Sequence, residues 1–209
     1  DERIPVPNRY FGVFQDGSLK IRGIEARRND TPSCVASAQL EALEYLAQAQ
    51  DAEALPALYP GLRKLLNRRL DEICSRSLPL EKYLITLKLS RTLDEYKSER
   101  VPTAAALAQL EGIGKSLRPG QRIRFLYVMG KPGVHAWDLP TPARRQQLDI
   151  ERYRTLFLRA VATILQPLGI ADDEFQALEW LRGDPVAQEL PLSTLPVILR
   201  KDQAFAGGV

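Results

Sequence analysis

The sequence predicts an α+β chain in which a β-hairpin leads into a mainly helical body with a small β element. Three observations predict it. Branched and aromatic residues flank an Asp16-Gly17 turn near the start. Apolar residues then recur at three- and four-residue spacing in several separate stretches. Within the helical body, an Arg118-Pro119-Gly120 turn opens into a run whose apolar and polar residues alternate. With 209 residues and 44% apolar content, the chain can form one large domain or two small ones with a real core.

Tyr10 to Phe14 supplies the first strand, and Leu19, Ile21 and Ile24 resume the extended pattern after residues that tolerate positive φ. Arg22, Arg27 and Arg28 cluster where the second strand ends. Thr31-Pro32 then reads as an N-cap with proline at the first helical position. Val35, Ala38, Leu40, Leu43 and Leu46 predict an amphipathic helix over 32–49. Pro56 and Pro60 predict a break, with the helix restarting at about Gly61. The stretch 62–75 places Leu62, Leu65, Leu66, Leu70 and Ile73 on one face and Arg63, Lys64, Arg68 and Arg69 on another. Those cations read as a solvated face, with a phosphate-facing role as the alternative.

Leu78-Pro79 closes that helix, Tyr83 to Leu87 has strand propensity, and Ser90 caps a short helical turn holding Leu93, Tyr96 and Lys97. An alanine-rich helix over 103–110 follows Pro102 and stops at Gly112-Ile113-Gly114. In the run after the R-P-G turn, Ile123, Phe125 and Tyr127 alternate with Arg122, Arg124 and Leu126, so the arginines share one strand face. Residues 130–142, with His135 and Trp137, predict a loop folded back through the tryptophan. Tyr153, Phe157, Val161, Ile164 and Leu165 predict a strong helix over 149–168. A short acid-opened helix over 172–181 places Phe175, Leu178, Trp180 and Leu181 on its apolar face, and 183–209 reads as an irregular tail partly packed on the body.

Four ordered stretches resemble one known family. Asn8-Arg9-Tyr10 with Gly23, Glu25, Arg28 and Asp30, then Ser90-Arg91, Leu93 and Tyr96-Lys97, then the R-P-G turn and its strand, then Asp149, Glu151 and Tyr153, follow the pattern of family B DNA polymerases, in their archaeal-like form. The resemblance runs from Arg9 to Ile170 and implies the segment that closes the palm and forms the thumb. Asn8 stands where the family commonly has lysine, and the helix over 103–110 lacks the histidine the family often carries. By this resemblance, 1–31 is the palm edge, 32–170 a thumb that grips duplex, and 171–209 a C-terminal extension. It further implies DNA contacts from Arg9, Tyr10, Arg28, Arg91, Tyr96, Lys97, Arg118, Arg122 and Arg124. The implied partners are a primer–template DNA duplex and the remaining exonuclease, palm and fingers domains, in DNA replication or repair.

Charge and chemistry bound the function. The net charge of +3 is modest, yet residues 112–137 hold Lys115, Arg118, Arg122, Arg124 and Lys131 with no acid, whereas 171–209 holds seven acids against three cations. Cys34 and Cys74 lack metal-ligand spacing and read as buried small apolar residues. His135, the single histidine, has no nucleophile or ligand partner at useful spacing and reads as a loop residue, which excludes an independent hydrolase. The family's metal-binding aspartate turn occurs nowhere, so the resemblance implies no cofactor in this chain and Mg2+ only in the complete polymerase. The chain alone is expected not to polymerise. No apolar run suits a membrane span and no signal-peptide core is present, so no membrane partner and a cytoplasmic setting are expected. Opening on Asp1 in a strand lead, the chain reads as a fragment or a split small subunit of a polymerase. The competing reading is a stand-alone, thumb-like protein-interaction module.

Overall fold

The computed structural model describes residues 10–14, 16–98 and 101–183, so the expectations for Asn8, Arg9 and the tail beyond 183 lie outside the described residues. The fold is α+β. β1 (Tyr10–Val13) and β2 (Leu19–Arg22) pair antiparallel, Tyr10 opposite Arg22. Gly17 at φ +81° and the Asp16 carboxylate, which accepts from the Ser18 amide (2.9 Å) and hydroxyl (2.6 Å), shape the turn. The second strand stops at Arg22, not at Ile24. Gly23, at φ +70°, turns the chain inward, and Ile24 is buried in the core before a 3-10 turn over Glu25–Arg27.

Helix α1 (Ser33–Leu46) begins one residue later than the sequence suggests: Pro32 is itself the N-cap, and no side chain caps the first turn. The expected break at the prolines is absent, and α2 runs unbroken over Leu55–Cys74. Pro56 lies in the first turn, where its missing N–H has no intrahelical partner anyway, and Pro60 forgoes one bond, to the Pro56 carbonyl. Gly61 is needed for close approach and not for a start: a Cβ there would lie 1.9 Å from the Tyr45 hydroxyl. Leu62, Leu66 and Ile73 are buried as expected. Leu78-Pro79 does not end α2, because Arg76 has already left the helix at φ +57°, its guanidinium donating to the Leu148 carbonyl (3.4 Å).

A 3-10 turn over Leu80–Tyr83 precedes β3 (Ile85–Lys88), so Tyr83 lies before the strand and not within it. The short turn Leu93–Glu95 is capped by Thr92 with Glu95, not by Ser90. α3 (Pro102–Glu111) has its proline in the first turn and four consecutive buried residues, Ala104 to Leu107. β4 (Arg122–Tyr127) pairs antiparallel with β3, and its other edge pairs with β5 (Val134–Ala136). β5 falls inside the expected loop. The proline and glycines at 130–133 make a strand connection there, and Val134 and Ala136 alternate into the core.

α4 (Ile150–Leu165) is capped by Asp149, whose carboxylate accepts from the Arg152 amide (3.2 Å), and runs into a 3-10 turn over Gln166–Leu168. α5 (Glu174–Arg182) is capped by Asp173 (2.8 Å from the Gln176 amide). Its buried face is Ala177, Trp180 and Leu181; Phe175, expected on it, is 64% exposed. No helix among the described residues is long and apolar enough to cross a membrane.

Two apolar cores result. The larger joins α1, α2, α4 and α5 with Ile24, and the smaller joins β3, β4 and β5 with α3. Tyr127 and Leu156 pack against both. The Tyr153 hydroxyl donates to the Tyr83 carbonyl and accepts from the Tyr127 amide, each at 2.9 Å. Burial raises the Tyr153 phenol above its ordinary pKa and pushes Tyr83 up to about 12, so both stay protonated donors.

Cys34 is buried, Cys74 is partly so, and neither forms a disulfide. Burial pushes the Cys34 thiol up to about 12. The hairpin exit is held to the helices by Gln39, the one buried polar residue among the described core positions, at 2% exposure. Its amide accepts from the Ala26 N–H (2.7 Å) and donates to Glu25 and to the Ala160 carbonyl (2.9 Å each). The other Glu25 oxygen accepts from the Thr163 hydroxyl (3.2 Å). Gln39→Met keeps the volume but strands these groups, and should cost about 2–3 kcal/mol of unfolding free energy in urea. A loss below the error of the urea midpoint would show that the amide does not anchor the hairpin.

Candidate nucleic-acid interface

The register of β3 and β4 sorts their side chains onto two faces. Ile85 opposite Phe125 and Leu87 opposite Ile123 face the smaller core, whereas Thr86 opposite Arg124 and Lys88 opposite Arg122 face outward. The alternation expected for β4 therefore holds through Arg124, and both arginines are exposed. At Leu126 the outer face itself becomes buried, where β4 runs into the larger core.

The end of this strand pair gathers residues far apart in sequence. The Leu89 N–H donates to the Gln121 carbonyl and the Gly120 N–H to the Leu89 carbonyl, both 2.8 Å, so Ser90-Arg91 leaves the sheet beside the R-P-G turn. That turn is closed by the Gln121 N–H on the Arg118 carbonyl (3.1 Å) and by the Arg118 N–H on the Gln121 side chain (2.6 Å), with Gly120 at φ +91°. Arg91, Arg118, Lys88 and Arg122 thus border one end of the sheet, all exposed. The Arg91 guanidinium stands over the Tyr96 ring, 5.5 Å from its centre. The Thr92 amide (2.6 Å) and hydroxyl (2.9 Å) both donate to Glu95, which holds that carboxylate below its usual range and fixes the segment between Arg91 and Tyr96. Lys97 follows, exposed. Lys88 is the cation that the sequence reading missed. Only the strand register reveals it, because nothing in its local sequence sets it opposite Arg122.

The other expected contacts are placed differently. Arg124 is ion-paired with Asp138 at 2.6 Å, and Lys115 donates to the Asp138 carbonyl at 3.1 Å. Lys131 lies in the β4–β5 connection, at the opposite end of β4 from Arg118. Tyr10 is half-buried in β1, with the Lys20 ammonium 5.6 Å from its ring centre. Arg28 binds Asp30 through two bonds (2.9 and 2.7 Å), which raises its pKa further and lowers that of Asp30. Arg28 lines a cleft of about 410 Å³ with Glu25, Asp30, Arg159, Asp173 and Glu174, and no sheet-end cation lines that cleft. The structure therefore joins Arg91, Tyr96, Arg118 and Arg122, and sets Arg28 in acid-rich surroundings.

Two further positions depart from the sequence reading. Arg63 is not merely solvated: its guanidinium stacks on Trp180 at 4.8 Å and donates to the Gly183 carbonyl at 2.9 Å, closing α5. Arg68 and Arg69 pair with Glu41. His135 lies in β5 opposite Leu126 and not in a loop, and its Nδ1 is buried without a described hydrogen-bond partner. Among the described residues, no group of three His, Cys, Asp or Glu side chains is placed to hold a metal ion.

The chain belongs to DNA polymerase family B, whose family model matches residues 8–168. It is 27% identical over 165 residues to DNA polymerase 1 of Sulfolobus acidocaldarius, covering 79% of this chain and 18% of that protein. It is 25% identical over 182 residues to the DNA polymerase catalytic subunit of human herpesvirus 8, covering 77% of this chain and 18% of that protein. The fold matches the family B DNA polymerase from the archaeon Pyrobaculum calidifontis at a TM-score of 0.58 and 19% identity, over 77% of this chain and 20% of that one. The chain spans about a fifth of these relatives' length.

Asp138→Asn removes the carboxylate that neutralises Arg124 among the described residues. The variant should elute from a heparin column at higher salt than the parent. Identical elution would mean that freeing Arg124 adds nothing to the binding of polyanion.

Proposed function

We propose that this chain is the C-terminal palm edge and thumb of a family B DNA-directed DNA polymerase, as a region or small subunit of it, and that it grips primer–template duplex through phosphate contacts. The observation that carries this reading is the exposed end of the β3–β4 pair, where Lys88 and Arg91 meet Arg118 and Arg122 from two separate chain stretches. Arginine and lysine on phosphate give a hold that ignores sequence, as copying any template requires. Tyr96 and Lys97 extend the same surface, and Tyr10 and Arg28 add contacts from the hairpin, apart from the sheet end. Chemistry would fall to metal-binding carboxylates on the palm, with Mg2+ in the complete enzyme. Replication or repair in the cytoplasm is the setting this implies.

The acid-rich cleft beside Arg28 favours a second reading, a protein-interaction module with no part in synthesis. Duplex binding separates the two. Fluorescence anisotropy with labelled duplex of arbitrary sequence should show weak binding that falls linearly with log salt, and Arg91→Ala should lower the slope by about one unit. Lys64→Ala, on the exposed face of α2, should leave the slope unchanged. Affinity independent of salt would sink the phosphate grip and leave the interaction module. In a primer-extension assay with magnesium or manganese, the chain alone should add no nucleotide; extension by a pure sample would overturn the division of labour.

A further inference from the structure

We propose that Lys88 and Arg122 form a self-repelling cation pair that is completed by a single phosphodiester group of a nucleic-acid strand. This deepens the grip proposed above and rests on it. The register sets the two residues directly opposite each other. The Leu89 N–H on the Gln121 carbonyl makes theirs the closely spaced, non-hydrogen-bonded kind of pair, with Cα atoms about 4.5 Å apart. Like charges at such a position destabilise a strand pair, so a free protein has nothing to gain from keeping them there.

Elsewhere in this chain several arginines are neutralised by carboxylates. Arg28, Arg68, Arg69, Arg124, Arg154 and Arg159 each sit in an ion pair. Lys88 and Arg122 have no ion pair or hydrogen bond with a described residue, and the groups bordering them, Arg91 and Arg118, add charge of the same sign. On the adjoining segment Glu95 is held by Thr92, and Asp94 forms no ion pair with a described residue. One phosphate oxyanion between the two head groups turns the repulsion into two charge-assisted hydrogen bonds, a fork from Arg122 and a point charge from Lys88.

The pair therefore reads out in the free protein as well as in the complex. Lys88→Met keeps the stem and removes the charge. In low salt without added anion, the full chain carrying Lys88→Met should melt about 1–3 °C higher than the parent. Lys64→Met, at a site with no opposing cation in register, should not. Inorganic phosphate should raise the melting temperature of the parent more than that of Lys88→Met, and Lys88→Met should bind duplex with a salt slope lower by about one unit. Parent and Lys88→Met responding equally to phosphate and binding duplex with equal slopes would overturn the clamp while leaving the wider grip standing. Stabilisation by inorganic phosphate that Lys88→Met loses, with no duplex bound by either protein, would overturn the phosphodiester as the occupant, together with the grip.

Discussion

The Tyr153 hydroxyl is the point on which the geometry of the basic face depends. One oxygen donates to the carbonyl of Tyr83, at the end of the segment leading into β3, and accepts from the amide of Tyr127, at the end of β4. It projects from α4, the central helix of the larger core. The three tyrosine rings meet edge to face, with Tyr83 and Tyr153 centred 5.1 Å apart. The phenol is buried, and an unmade bond there would leave two backbone groups unsatisfied in an apolar setting. The strand pair that carries Lys88 and Arg122 at its far end is thus anchored at its near end by a buried polar contact. Its outer end needs no core beneath it and can be left to charge.

A similar device serves the hairpin. Gln39 and Glu25 form a polar knot among α1, α4 and the hairpin exit, in a core otherwise built from apolar side chains. A buried polar network fully satisfied in one arrangement favours that arrangement over near alternatives. It also draws Glu25 into the region where Arg28 and Asp30 pair, and so contributes to the acid-rich character of the adjoining cleft. For Arg28 to reach phosphate, its two bonds to Asp30 must be shared or broken. Among the described residues no such carboxylate holds Arg91, whose guanidinium stands over the Tyr96 ring.

Much of the fold was legible because its signals are local. The hairpin turn at Asp16-Gly17, the alanine-rich α3, the R-P-G turn and the Asp149 cap each follow from residues a few positions apart. The departures arise where a distant contact decides. Pro56 and Pro60 looked like a break, but the cost is one missing bond near a helix start, and burial of Leu62, Leu66 and Ile73 outweighs it. β5 was hidden because its neighbours are glycine and proline, and only pairing with Phe125 and Tyr127 of β4 makes Val134 to Ala136 a strand. Phe175 had the right spacing for a core position, but Trp180, flanked by Arg63, fills the place against α2. Of the candidate site, the sequence pattern revealed Arg91, Arg118 and Arg122 but neither Lys88 nor the grouping, because grouping is a property of register.

Register also explains why the basic stretch 112–137 is not one uniform patch. Asp138 and the fold divide it: Arg124 is neutralised, Lys115 is turned toward the Asp138 carbonyl, and Lys131 is carried to the other end of β4. At the sheet end, cations from β3, the Arg91 segment and the R-P-G turn are positioned by backbone bonds and have no ion pair with a described residue. Exposed charges in water repel weakly, so the arrangement costs little while empty. A polyanion reverses the sign of that small cost at every such position at once. A hold built this way would be salt-sensitive and indifferent to base sequence.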